Sequence, residues 1–172
     1  HLYNVPCIAA WVPFNEGWGQ FEARSMAAWV RELDPTRSVD HASGWFDQDG
    51  GDYCSRHIYR LPLRRRSPRR CTRAFVISEF GGYGLKIAGH AWDEQRAFSV
   101  RMFGTPDALG EAYALLLEKE LKPLIPRGLM AAIFTQTTDV EIEINGYLTY
   151  DRAVEKLPAA RLAAVHRQLV ES

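Results

Sequence analysis

A chain of 172 residues with 47% hydrophobic and 12% aromatic content has enough apolar material for the core of one ordinary soluble domain. Its 21 basic and 21 acidic side chains cancel, which leaves no overall positive excess for nucleic acid, and no run of about 18 apolar residues offers a membrane span. Cys7, Cys54 and Cys71 lack CxxC spacing, which argues against a closed disulfide framework and against a zinc site.

The N-terminal stretch HLYNVPCIAAWVPF has neither the basic start nor the small-residue cleavage site of a signal peptide, and the chain is expected to begin partway through a fold. Ile8 to Phe14 predicts a buried strand. Phe21, Met26, Trp29, Val30 and Leu33 recur on a roughly helical period, so residues 21 to 33 predict a helix that Asp34-Pro35 stops. Ser38 to Ala42 and Tyr53 to Tyr59 predict short strands on either side of the turn-rich DQDGGD. Residues 60 to 73 hold seven arginines and two prolines and read as a loop. Ala74 to Ser78 is a second continuous apolar strand, and it runs into Glu79 and two glycines much as the first runs into Asn15-Glu16 and Gly17. Helical periodicity returns from Ala108 to Leu124, and Leu129 to Gln136 predicts another buried strand. A last helix spans about Pro158 to Val170, with Pro158 near its first turn and Leu162, Val165 and Leu169 on one face.

Apolar strands alternating with helices or loops predict an α/β fold, a parallel sheet covered by helices. A doubly wound sheet and a (β/α) barrel both fit, and both gather functional groups at the carboxyl ends of strands. Glu16, His57 with Tyr59, Glu79 and Gln136 fall at such ends and are expected to share one face. Two carboxylates in an aromatic cleft point to acid/base or nucleophile chemistry. A glutamate near Trp11 and Trp18 is expected to favour its protonated form, and a second one nearer donors such as Tyr59 to stay ionised. The bland reading of each glutamate alone is a helix cap or an ion pair with arginine. Their paired occurrence weighs against it.

Four stretches carry a resemblance: WVPFNEGWGQ, RHIY, VISEFGGYG and FTQTTDVEIEINGYLTYDR. Together, in this order and over nearly the whole chain, they resemble the catalytic domain of glycoside hydrolase family 2, the β-galactosidase, β-glucuronidase and β-mannosidase family of clan A. The resemblance implies a retaining exo-β-glycosidase with no metal and no cofactor. Glu16 then matches the general acid/base, Glu79 the nucleophile, and Asn15 the amide that holds the sugar 2-hydroxyl. His57 and Tyr59 match a His-x-Tyr of the sixth barrel strand, the histidine bordering the sugar site and the tyrosine touching the nucleophile. Trp18, in the loop just past the acid, is the preferred stacking face for a sugar ring among Trp11, Trp18 and Trp45. Gln136 would line the pocket from the last strand.

The chain also departs from the family's pattern. A full barrel takes about 250 residues, and the first strand here matches the family's fourth. The expectation is therefore a partial TIM barrel, strands four to eight with their helices, in a single domain covering residues 1 to 172. Such a sheet has an open face and edges, so a fragment of a longer chain, or a homodimer that covers the open face, is expected. The competing reading is a non-catalytic or partner-dependent half-barrel with at most weak carbohydrate binding. The last strand shows Thr135 and Gln136 where this clan commonly has a tryptophan. The arginines between Arg60 and Arg73 stand where the family has a Pro-rich loop; lacking interleaved aromatics, they read as a solvated loop, not a nucleic-acid surface. His41, His90 and His166 do not have metal-ligand spacing. Gly81 and Gly82 fit a backbone turn beside the nucleophile rather than a phosphate loop. Asp139, Glu141 and Glu143 read as a cap and loop network.

Overall fold

The computed structural model describes residues 1–60, 62–64 and 71–170. The chain divides into two compact units. Unit 1 is His1–His57, Arg65–Glu79 and Gly128–Ala132; unit 2 is Ile58–Arg64, Phe80–Arg127 and Ile133–Ser172.

In unit 1, strand β1 (Ala10–Trp11) pairs in parallel with β2 (Ser38–Val39), Ala10 opposite Ser38 and Trp11 opposite Val39. The buried strand expected over residues 8 to 14 is thus short and none of its residues is fully buried, Val12 being exposed, but its direction is carried on by a parallel bridge between Asn15 and Ser43. Helix α1 (Ala23–Leu33) joins the two. Its inward stripe is Ala23, Met26, Ala27 and Val30, whereas Phe21, Trp29 and Leu33 are exposed. Of the predicted apolar set, Met26 and Val30 do face inward, while Ala23 and Ala27 supply the fully buried positions of the stripe. The helix ends at Asp34, which is buried and collects donors: Trp11 Nε1 at 2.8 Å, Arg37 at 2.5 Å, and the Thr36 hydroxyl at 2.5 Å and its N–H at 3.0 Å. The Arg37 guanidinium also donates to the Ile8 and Val5 carbonyls. One carboxylate therefore fixes the start of the chain to the end of the helix. The Thr36 hydroxyl first, then Trp11 and Arg37, hold the Asp34 carboxyl well below the usual carboxylate range against the opposing effect of burial.

Strands β3 (Tyr53–Ile58), β4 (Ala74–Gly81) and β7 (Leu129–Thr135) form a sheet in the order β3-β4-β7. The central strand buries Phe75, Val76 and Ile77 in succession, as its continuous apolar sequence predicts. β4 runs past the predicted end at Ser78, so Glu79 lies within it. β7 corrects the expectation of a buried strand: Met130, Ala131 and Ile133 are exposed. It stands last in the order of its sheet, and an outer strand need not cover both faces.

In unit 2, β5 (Tyr83–Leu85) pairs in parallel with β6 (Arg101–Phe103). Neither was expected, since each is three residues long and β5 sits in a glycine-rich stretch. The helix expected from Ala108 to Leu124 is α2 (Pro106–Leu115), capped by the Thr105 hydroxyl, which accepts from the Ala108 N–H at 3.2 Å. It widens into a π turn over Leu116–Leu121 and tightens into a 3-10 turn over Lys122–Arg127. Pro123 and Pro126 bring no N–H to an α ladder, and the changed winding still buries Leu116, Leu117, Leu121 and Leu124. Helix α3 (Ala159–Val170) turns Leu162, Val165 and Leu169 inward, as predicted. Around Phe134 pack Phe80, Tyr83, Tyr113 and Tyr147, the last stacked at 4.9 Å and 8°. Gly81 has φ 92°, and a Cβ there would sit 2.2 Å from the Phe134 ring, so this glycine is required by both backbone and space.

Unit 2 also buries an ion pair. Lys156 is fully enclosed and spends its three N–H donors on Asp139 Oδ1 at 2.5 Å, the Ile144 carbonyl at 2.9 Å and the Leu85 carbonyl at 3.2 Å. Asp139 further accepts the Gly146 N–H at 2.8 Å. Asp139 is thus a structural anchor, in keeping with its reading as part of a loop network.

The chain is a mixed α/β protein whose described strands form small sheets, parallel where β1 meets β2 and β5 meets β6. No helix among the described residues is long and apolar enough to cross a membrane. Of the arginine-rich loop, Leu61 and residues 65–70 lie outside the described residues. Arg73 is no surface charge: it donates to the Gly50 and Tyr53 carbonyls and to Asp47.

Candidate active site

In unit 1 the backbone delivers Glu16, His57 and Glu79 to one place. Glu16 follows the Asn15–Ser43 bridge, and its N–H donates to the Ser43 carbonyl at 2.8 Å. Its φ is +53°, a left-handed conformation uncommon outside glycine. Strain of this kind gathers at functional sites, where the surrounding structure holds it in place. His57 is the penultimate residue of β3 and Glu79 the sixth of β4, on adjacent strands.

The His57 side chain is 0% exposed, while those of Glu16 and Glu79 are 23% and 27% exposed. His57 Nδ1 lies 2.8 Å from Glu16 Oε1 and 3.3 Å from Glu79 Oε2. Nδ1 thus sits between the two carboxyl groups, within hydrogen-bond distance of Glu16 and ion-pair distance of Glu79. On the far side of the ring, Nε2 lies 2.8 Å from the Ser43 hydroxyl, which is itself 2.8 Å from the Ser78 hydroxyl. The Trp45 indole donates to the His57 carbonyl at 3.2 Å and packs edge-on against the imidazole, 5.9 Å between centroids. Gly44, at φ 109°, makes the close packing possible: a Cβ there would lie 3.3 Å from Nδ1 and 3.4 Å from Glu16 Cγ. Among the described residues, one donor atom each from Glu16, His57 and Glu79 all fall within 4.8 Å of one another, so these three could hold a metal ion.

Beside Glu16 opens a recess of about 370 Å³ lined by Glu16, Gly17, Trp18, Gln20, Phe46 and Gln48. Trp18 is 80% exposed. The loop carrying Trp45, Phe46 and Gln48 is pinned from behind by Asp47. Burial acts against the Asp47 carboxylate, but hydrogen bonds from Arg73 and from the Asp49 N–H hold its pKa below the usual range. Nearby Asp40 is pushed up by burial, partly offset by the hydrogen bond from Ser55.

The sequence-predicted residues thus divide. Asn15, Glu16, Trp18, His57 and Glu79 belong to unit 1, and Asn15 and Trp18 are exposed next to the glutamate. Tyr59 and Gln136 belong to unit 2, where the Tyr59 hydroxyl donates to Thr135 Oγ1 at 3.1 Å and the Gln136 amide to Asn145 Oδ1 at 2.7 Å. Trp11 is a structural residue, bonded to Asp34 and covered by the Arg37 guanidinium 5.5 Å from its ring. Sequence reading missed Ser43, Ser78 and Gly44, small residues whose only signal is that they flank predicted strand ends. Phe46 and Gln48 were missed too, in a segment that reads only as a turn. Compared with known proteins, the chain matches no family model and no curated protein.

Proposed function

We propose that the chain is a retaining β-glycosidase, or the catalytic part of one: strands four to eight of a glycoside hydrolase family 2 TIM barrel. The observation that carries this reading is the convergence of Glu16 and Glu79 on one imidazole, with carboxylate oxygens within 4.8 Å. Retaining enzymes hold their two carboxyl groups about 5–5.5 Å apart, whereas inverting ones need about 6.5–9.5 Å to admit a water.

In this mechanism Glu79 attacks the anomeric carbon to form a glycosyl-enzyme, while Glu16 protonates the departing oxygen and then deprotonates the incoming water. Glu16 is the better proton donor of the two by position, since it borders the recess that receives the leaving group. His57 sits between the two carboxyl groups and spaces them. Asn15 holds the 2-hydroxyl and Trp18 stacks on a ring. The partner is a carbohydrate β-glycoside; the open barrel face is covered by the rest of a longer chain or, if this chain stands alone, by a homodimer.

A rival comes from the series Ser43 hydroxyl, His57, Glu16, which has the hydrogen-bond order of a serine hydrolase triad. Its polarity is wrong. Ser43 is buried and engaged with Ser78, while the carboxylate end is the one open to solvent. The serine orients the histidine and does not attack. A non-catalytic half-barrel that binds sugar weakly is the remaining alternative.

Hydrolysis of a panel of aryl β-glycosides by the purified chain, beside Glu79→Gln and Glu16→Ala, tests the proposal. Turnover that vanishes with Glu79→Gln supports it. No turnover with any sugar leaves the non-catalytic alternative, and turnover unchanged in both variants rejects the mechanism.

A further inference from the structure

The geometry points to a binding site for one divalent transition-metal cation of the zinc class on Glu16, His57 and Glu79. His57 Nδ1 lies 2.8 Å from Glu16 Oε1 and 3.3 Å from Glu79 Oε2, and a place where three ligand-type atoms crowd together is one where a cation can seat. Ligands about 2.0–2.2 Å from a tetrahedral zinc ion stand about 3.3–3.6 Å from one another. Of the two nitrogen–oxygen separations, 3.3 Å meets that range and 2.8 Å must open by a few tenths of an ångström. The remaining edge falls within 4.8 Å and closes by rotation of carboxylates that are only about one-quarter exposed.

Chemistry of the donors selects the ion. An imidazole with two carboxylates suits zinc, cobalt or nickel, where magnesium and calcium prefer oxygen alone. The outer contacts are those a ligating histidine needs: its other nitrogen lies 2.8 Å from the Ser43 hydroxyl, which holds the ring in place. Gly44 leaves the ring's Nδ1 side uncrowded. Three protein ligands leave a fourth position for water.

A cation seated there occupies both carboxylates and excludes a glycoside, so the chain is reversibly shut by zinc. This consequence rests on the glycosidase reading; the binding itself does not. The test uses the full chain carrying Cys7→Ser and Cys71→Ser, which removes thiols that would capture zinc on their own. Calorimetry with zinc(II) and visible absorption with cobalt(II) are run on this protein and on His57→Ala, Glu79→Gln and Ser43→Ala in the same background, with circular dichroism to show that each is folded. One equivalent of metal is expected, bound at least about tenfold more weakly by Ser43→Ala and lost from His57→Ala and Glu79→Gln. Hydrolysis should fall by half at the zinc concentration that half-saturates the site. Binding indifferent to both His57→Ala and the isosteric Glu79→Gln overturns the site, and full hydrolysis by zinc-saturated chain overturns the inhibition. Should the chain hydrolyse nothing and still bind one metal through these residues, the site stands and the glycosidase reading falls.

Discussion

Two polar clusters in this molecule pair carboxylates with a nitrogen donor, and they balance differently. In unit 2, Lys156 meets Asp139 and two carbonyls, so all three ammonium hydrogens are used inside the fold. Burial pushes the Asp139 carboxyl up and the Lys156 ammonium down, and the hydrogen bond and charge of each partner oppose those shifts. In unit 1, His57 Nδ1 lies 2.8 Å from Glu16 and 3.3 Å from Glu79, and both carboxylates are about one-quarter exposed. Access to solvent separates a fastener from a site. A closed cluster holds the chain, and one whose carboxylates reach the surface can meet a ligand or a reacting proton.

The sharpest break of this contrast is expected from Glu79→Gln. It should reduce aryl glycoside hydrolysis at least about a thousandfold, as loss of a nucleophile does, while the urea midpoint barely moves; a large drop in stability would place Glu79 with the fasteners. Lys156→Met should do the reverse. It strands a buried carboxylate, which costs about 3–5 kcal/mol in urea unfolding. Adding Asp139→Leu to it should recover much of that loss, because two apolar groups leave nothing unpaired. Ser43→Ala is intermediate: removing the hydroxyl from His57 Nε2 should lower kcat/KM through kcat by roughly tenfold, in line with a lost buried hydrogen bond of about 1–3 kcal/mol, and Ser43→Thr should restore part of it. The smallest effect concerns Asp34. Its carboxyl is held low in the folded chain, so its contribution is present above the unfolded value of 3.8 and is lost as pH falls below it. Urea midpoints of wild type and Asp34→Asn should therefore converge on acidification, and parallel curves would show that Asp34 is not acid-linked.

What the sequence made legible follows from what its signals measure. Continuous apolar runs mark strands that are covered, so the central β4 was readable to within a few residues and the paired glutamates with it. The same signal misjudged β7, whose Met130 and Ile133 are apolar but exposed. Periodicity located α1 and α3; on α1 it placed Met26 and Val30 correctly but counted the exposed Trp29 and Leu33 and passed over the alanines that are buried. The stretch from Ala108 to Leu124 looked like one helix because prolines disturb winding without interrupting the apolar spacing. Lys156 gave no warning, since a lysine is ordinarily exposed and only its three acceptors, from three separate loops and strands, explain its burial. Ser43 was silent for a similar reason. Its importance lies in contacts with residues 14 and 35 positions away.

The left-handed backbone at Glu16 sets two selections against each other. Glycine adopts φ near +53° freely, while glutamate there carries strain on the order of 1–3 kcal/mol. Glu16→Gly should thus raise the thermal midpoint of the chain while removing its proton donor. Variants screened for heat resistance alone would drift toward discarding this side chain, and variants screened for turnover would be held to it.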